Sequence, residues 1–199
     1  PDPLARGLAA ARRAVEAAPS NHLAHFGLAQ AFYFRKEFES FRNAAERAVA
    51  LNPMDGYSIA FLGELFTYTG DWKRGLELAG RAKQLNPHHP GWYWYADFYH
   101  SHLQRDFRGA IASLLRANMP GHWGFHAGLA ACHAQLDERE AAGTALHELL
   151  RLRPDFAATV RAEFAKWWSP EYVELFIDGL RKAGLEVPTA NATAVPVGG

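Results

Sequence analysis

The sequence predicts an all-α chain built as a stack of repeated helix–turn–helix units. Three observations carry this. Prolines recur at a near-fixed interval: Pro19, Pro53 and Pro87 are 34 residues apart, Pro120 follows after 33 and Pro154 after another 34. Between the prolines, apolar residues fall at helical spacing, as in Ile59, Leu62 and Phe66, and few stretches alternate with the period of two that a half-buried strand requires. Gly and Pro punctuate the chain where each unit must turn or stop. One such unit cannot bury its apolar face alone, so neighbouring units must stack to share a core.

The chain divides accordingly. Residues 1–20 hold one helix, which aligns with the second helix of a truncated repeat; Asp2 suits its N-cap and Pro3 its first turn. Residues 21–154 hold four repeats, over about 22–53, 56–87, 90–120 and 123–154. The second is the most regular. A helix over Tyr57–Thr69 is followed by the break Gly70-Asp71, then by a helix over Trp72–Gln84 that stops at Leu85-Asn86-Pro87. Small residues at one helix position (Gly63, Ala29, Ala130) let paired helices approach, and large ones (Leu28, Phe32, Leu62, Phe66) fill the space between units. Asp97 occupies that small-residue slot in the third repeat, where a buried carboxylate needs a partner or the repeat must tilt. The exit Ala117-Asn118-Met119-Pro120 is two residues shorter than the exit Ala48–Pro53, which predicts a changed angle there. Residues 155–184 form capping helices, one over 155–168 and one over Tyr172–Ala183, with Ser169-Pro170-Glu171 as cap and first turn and Gly184 as a left-handed stop. Residues 185–199 show no periodicity and are expected to be a flexible tail.

Composition narrows the function. Lys plus Arg and Asp plus Glu balance at 21 each, so no overall field draws the chain to nucleic acid or to an anionic membrane. Cys132 is the single cysteine, which rules out an intrachain disulfide and fits a reducing, cytoplasmic setting. No apolar run approaches the roughly 20 residues that span a bilayer. The chain opens in helical sequence without a Met and with half a repeat, so the expectation is a piece of a longer protein.

Leu62-Gly63 with Phe66, Ala82 and Pro87 in one repeat, and Leu28-Ala29 with Phe32, Ala48 and Pro53 in another, give the chain its family likeness. Over residues 4–154 it resembles tetratricopeptide repeat proteins, departing from their pattern at Asp97 and Phe41. The ending, from Leu152-Arg153-Pro154 through Ser169-Pro170-Glu171 to Gly184-Leu185, is similar to the repeat region of bacterial multidomain signalling proteins that carry a cyclase or winged-helix domain upstream. The resemblance implies a right-handed α-solenoid whose first helices line a concave groove. Carried over residue by residue, the groove positions include Phe26, Gln30 and Tyr33 in the first repeat and Tyr57, Glu64 and Tyr68 in the second. They include Trp94, Phe98 and His102 in the third, and Gly124, Ala127, Ala131, Ala134 and Gln135 in the fourth. None of these is Lys, Arg or Asn, so the carboxylate-clamping ligand class of the chaperone-binding relatives is rejected. An aromatic concavity favours apolar or aromatic anchors of a peptide or partner domain.

Chemistry is harder to find. Ten histidines invite a metal, but His100 and His102 point apart on a helix, and His122-Trp-Gly-Phe-His126 lacks the Glu of a zinc-hydrolase helix. Cys132 and His133 are helix neighbours and project about 100° apart, so they make no nucleophile–base pair. The acidic run Asp137-Glu138-Arg139-Glu140 suits a helix start. The expectation is a non-enzymatic interaction module with no cofactor and no metal, binding a protein or peptide and neither nucleic acid nor membrane. The alternative is a homodimerisation spacer with no peptide ligand.

Overall fold

The computed structural model describes residues 2–188. Among them are eleven α-helices, one 3-10 turn and no strand. The helices are α1 (Pro3–Ala17), α2 (His22–Phe34), α3 (Phe38–Leu51), α4 (Gly56–Tyr68), α5 (Trp72–Leu85) and α6 (Tyr95–Leu103). They continue with α7 (Phe107–Ala117), α8 (Trp123–Gln135), α9 (Arg139–Leu152), α10 (Phe156–Ala165) and α11 (Pro170–Lys182). The chain forms two compact units that meet in sequence at Asp97 and Phe98.

In the first unit α2 pairs with α3 and α4 with α5, while α1 lies against α2. The α4–α5 crossing rests on two glycines. A Cβ on Gly63 would fall 2.9 Å from the Gly75 carbonyl oxygen, and one on Gly75 would fall 2.8 Å from that of Gly63. Phe41 of the first repeat and Phe66 of the second then meet at a ring distance of 4.9 Å, both fully buried, so two successive repeats share one core. Phe41, a departure from the small residue the family pattern wants, fills that space from the second helix.

Local chemistry places the helix ends. The Asp2 carboxylate accepts from the Leu4 and Ala5 amides, and Asp55, Asp71 and Asp106 each accept from an amide three residues on. Each repeat also turns from its first helix to its second through one left-handed residue: Lys36, Gly70, Arg105 and Asp137, with φ of 61°, 87°, 59° and 59°. Only one of the four is the glycine that this conformation favours.

The third repeat departs from the regular pattern at both ends. Its first helix begins as the 3-10 turn Gly91–Trp94, behind Pro90, before α6 takes over; tight 3-10 geometry is common where an α-helix starts. Asp97 is half-buried and paired, its Oδ2 accepting from Lys83 Nζ at 2.5 Å, and the same ammonium lies 4.0 Å from the Trp94 ring centre. At its far end α7 runs 11 residues where α3, α5 and α9 run 14, and it stops at Asn118 with φ 47°. This is the physical form of the shortened exit.

In the second unit α8 is the central helix. It packs against α7, α9 and α11. Ser169 caps α11 by accepting from the Tyr172 amide at 3.4 Å, and Gly184 stops it with φ 102°. Beyond the stop, Leu185 and Val187 are buried, and the Val187 carbonyl accepts from Arg181. Leu185 and Val187, in the segment expected as a tail, are thus packed against the fold, while residues 189–199 lie outside the described residues.

Candidate functional site

The first unit carries an aromatic face on its first helices. Phe26 of α2 meets Phe61 of α4 edge-on at 5.7 Å; Phe61 meets Trp92 at 6.4 Å; Trp92 meets Tyr57 at 5.6 Å. Phe26, Phe61 and Trp92 are half-buried, and Tyr57 is 55% exposed. Leu23, one repeat before Tyr57 in the pattern, is exposed to the same extent, 55%. Helical spacing explains part of the row: Tyr57 and Phe61 are four apart on one face of α4, and Phe26 and Trp92 reach that face from the preceding and following repeats.

Farther along the same helices lies a carboxylate among tyrosines. The Tyr68 hydroxyl donates to Glu64 Oε1. Burial pushes the Glu64 carboxyl up to about 7, and the Tyr68 hydrogen bond opposes this more weakly. Tyr33 and Tyr95 are driven well above the usual phenol range, first by burial and then by the nearby Glu64 charge. Gln30 is half-buried on α2. Tyr33, expected on the groove surface, is fully buried, its ring against Phe34, Phe38 and Phe41. Trp94 is half-buried beneath the Lys83 ammonium.

The positions of the second unit that were expected to line a groove are covered. Phe98 and His102 of α6 are buried at 1% and 0% exposure. The covering element is α11: Phe176 lies 6.4 Å from Phe98 and 5.2 Å from His102, and Tyr172 lies 5.5 Å from His102. A Cβ added to Gly179 of α11 would fall 2.9 Å from the Cβ of Ala131 on α8. Gln135 Nε2 donates to Asp178 Oδ2 at 2.9 Å, and Gln135 Oε1 accepts from Lys182 Nζ at 2.8 Å. The helix expected to close the end of the stack therefore runs over Phe98 and His102 of one repeat and Ala131 and Gln135 of the next.

This covering leaves a polar defect. Both ring nitrogens of His102 and the hydroxyl of Tyr172 are buried without a hydrogen-bond partner. Burial, and after it the Arg105 charge, lowers the His102 imidazole to about 4, so it is neutral at pH 7.

A cleft of about 720 Å³ opens elsewhere on the second unit, between α8 and α9, lined by His126, Leu129, His133, Glu138 and Glu148 among others. Its carboxylates are already engaged, Glu138 by His133 at 2.6 Å and by Arg108 at 3.1 Å, and Glu148 by Arg151 at 2.9 Å. His122 serves as the cap of α8, its Nδ1 accepting from the Gly124 amide at 3.2 Å, and His126 Nε2 meets the Pro120 carbonyl at 2.8 Å. Among the described residues no group of three or more His, Cys, Asp or Glu is arranged to hold a metal ion. Cys132 is buried and its thiol is pushed up to about 12. No helix of the described residues is long and apolar enough to cross a membrane.

Phe61 and Trp92 were missed by the sequence reading because they sit at repeat positions outside the groove pattern. The signal that could have found Trp92 is the aromatic run Trp92-Tyr93-Trp94-Tyr95.

No family model matches the sequence. No curated protein matches it either. Solved structures do. YrrB, "a TPR protein with an unusual peptide-binding site", superposes with a TM-score of 0.59 at 15% identity, over 87% of this chain and 90% of that one. The TPR domain of P58(IPK) aligns with a TM-score of 0.38 at 16% identity, over 90% of this chain and 55% of that one. With the 34-residue period, the paired helices and the YrrB superposition together, the chain is a tetratricopeptide-repeat protein by fold, an all-α solenoid of helix–turn–helix units.

Proposed function

We propose that this chain is a non-enzymatic interaction module that receives an extended peptide of a protein partner on the aromatic face of its first unit. The observation that carries this is the row Phe26, Phe61, Trp92 and Tyr57, four rings in edge contact with Tyr57 55% exposed. Aromatic rings offer a large apolar area at a small entropic cost, and they are the residues on which binding energy concentrates. Glu64 and Tyr68 add a polar site on the same helices, and Gln30 can pair with peptide backbone. YrrB, which shares the fold, is a peptide binder, and that supports the reading.

The test is panning of a peptide library against the full chain and against a Tyr57→Ala/Phe61→Ala variant with unchanged far-ultraviolet circular dichroism. Peptides with apolar or aromatic anchors are expected, bound at least tenfold more weakly by the variant. Equal selection by both proteins overturns the assignment. A second reading draws on Leu23, Met54 and Tyr57, exposed at 55%, 70% and 55%: this surface would join two copies of the chain. Light scattering over a concentration series separates them, since a homodimer spacer stays associated on dilution and a peptide receptor does not.

A further inference from the structure

We propose that α11 is a releasable, built-in occupant of the groove on α6 and α8, and that an incoming amphipathic helix of the same pattern competes for its seat. This rests on the reading of the chain as a groove-presenting module, but it concerns the second unit alone.

The geometry makes α11 resemble a ligand more than a further repeat. It touches Phe98 and His102 in α6 and Ala131 and Gln135 in α8, equivalent pairs 33 residues apart in two successive repeats. Its contacting residues fall on one stripe: Tyr172 and Phe176 are four apart, and Gly179 follows after three. Large rings fill the α6 side, and the glycine lets the α11 backbone approach Ala131 with no side chain between them. An apolar helical stripe laid in a groove is a general recognition mode. The partner this seat fits is therefore a helix with aromatic residues at positions i and i+4, a glycine at i+7 and a polar outer face.

Two features make the seating reversible. The interior of the contact holds three polar atoms with no partner, the two nitrogens of His102 and the hydroxyl of Tyr172. Exposure returns each of them to water, so opening relieves a cost that a fully satisfied core does not carry. At the rim, Gln135, Asp178 and Lys182 make exposed contacts that water replaces readily. Release hinges at the turn between Ala165 and Pro170, and it parts Phe176 from Phe164 of α10 at 4.8 Å and Glu174 from Arg161, and lifts out the buried Leu185 and Val187.

The experiment uses the full chain and a fluorescent synthetic peptide of residues 169–188 as the probe. Gly179→Ala places a methyl 2.9 Å from the Ala131 Cβ and must lift α11 locally. Expected in hydrogen exchange is at least tenfold faster exchange of the α11 amides in the variant, with α8 and α9 as protected as before. Expected in binding is capture of the peptide by Gly179→Ala at least tenfold more tightly than by the unaltered chain, whose seat is filled. If helicity drops too far to interpret, Asp178→Lys, which breaks the rim contact to Gln135, is read in the same two ways. Loss of protection in α8 and α9 together with α11 overturns the proposal, because α11 is then part of one cooperative core. So does an exposed α11 with no peptide capture. Neither result bears on the aromatic face of the first unit, which the library test addresses separately.

Discussion

Gly63 and Gly75 face each other across the α4–α5 crossing, and each lies where a methyl group on it would come within 3 Å of the other's carbonyl oxygen. The contact is backbone against backbone, so neither side can yield by changing a rotamer. Gly63 is legible in sequence as the small residue of the repeat pattern. Gly75 stands 34 residues after Phe41, at the slot where the family pattern wants a small residue, so it is legible by the same rule.

Replacing Gly75 with Ala is therefore expected to destabilise the first unit by about 1–3 kcal/mol, although Ala is the better helix former. The added Cβ would also meet the Thr67 amide nitrogen at 2.9 Å. Gly80 on the same helix has nothing within 4 Å of its added Cβ, so Gly80→Ala is expected to be neutral or stabilising. Thermal melts of the two variants give the comparison, and equal melting temperatures would mean that the crossing relaxes freely.

Glu64 predicts a pH dependence. Its carboxyl sits at about 7 in the folded chain against 4.5 in the reference state, raised by burial. The folded state holds this proton more tightly, so the contribution is fully present below pH 4.5 and is lost as pH rises through 7. Glu64→Gln keeps an acceptor for Tyr68 and removes the charge. Melting temperature against pH is expected to be flatter for the variant between 4.5 and 7, and higher than the parent at pH 8. Parallel curves would show that Glu64 is solvated in solution.

His102 predicts the opposite slope. Its imidazole is held at about 4 against 6.5, by burial first and the Arg105 charge second. The rings that face it are Phe98 from its own helix, Phe107 from α7 and Tyr172 and Phe176 from α11, and the charge acting on it is that of Arg105. Its contribution is present above pH 6.5 and is lost as pH falls through 4. His102→Phe fills the same apolar ring of neighbours and deletes two unpartnered nitrogens. It is expected to raise stability at pH 7 by about 1–3 kcal/mol and to remove this acid-sensitive component. A lower melting temperature at pH 7 would show that the nitrogens find partners in solution.

Much of the fold was readable from the chain itself. The spacing of Pro19, Pro53, Pro87, Pro120 and Pro154 gave the repeat, and Asp2, Asp71, Ser169 and Gly184 marked helix ends that the structure places within a residue or two. These features are local: a cap needs an amide two or three residues away, and a helix face needs apolar residues at fixed spacing. The left-handed turns at Lys36, Arg105 and Asp137 escaped notice because the surrounding helices impose them on residues that do not favour them.

The sequence by itself determined the helices and their pairing into repeats, and the family likeness named the positions expected to line a groove. Only the tertiary structure decided which of those positions meet solvent. Tyr57 stays exposed, while Phe98 and His102 are sealed by Tyr172 and Phe176, more than sixty residues away in sequence. The repeat pattern specifies each unit and its immediate neighbour, because that is where its apolar faces are buried. A helix that folds back across two successive repeats obeys no such period, so its seat is fixed by shape: a glycine against an alanine, and two rings over a histidine.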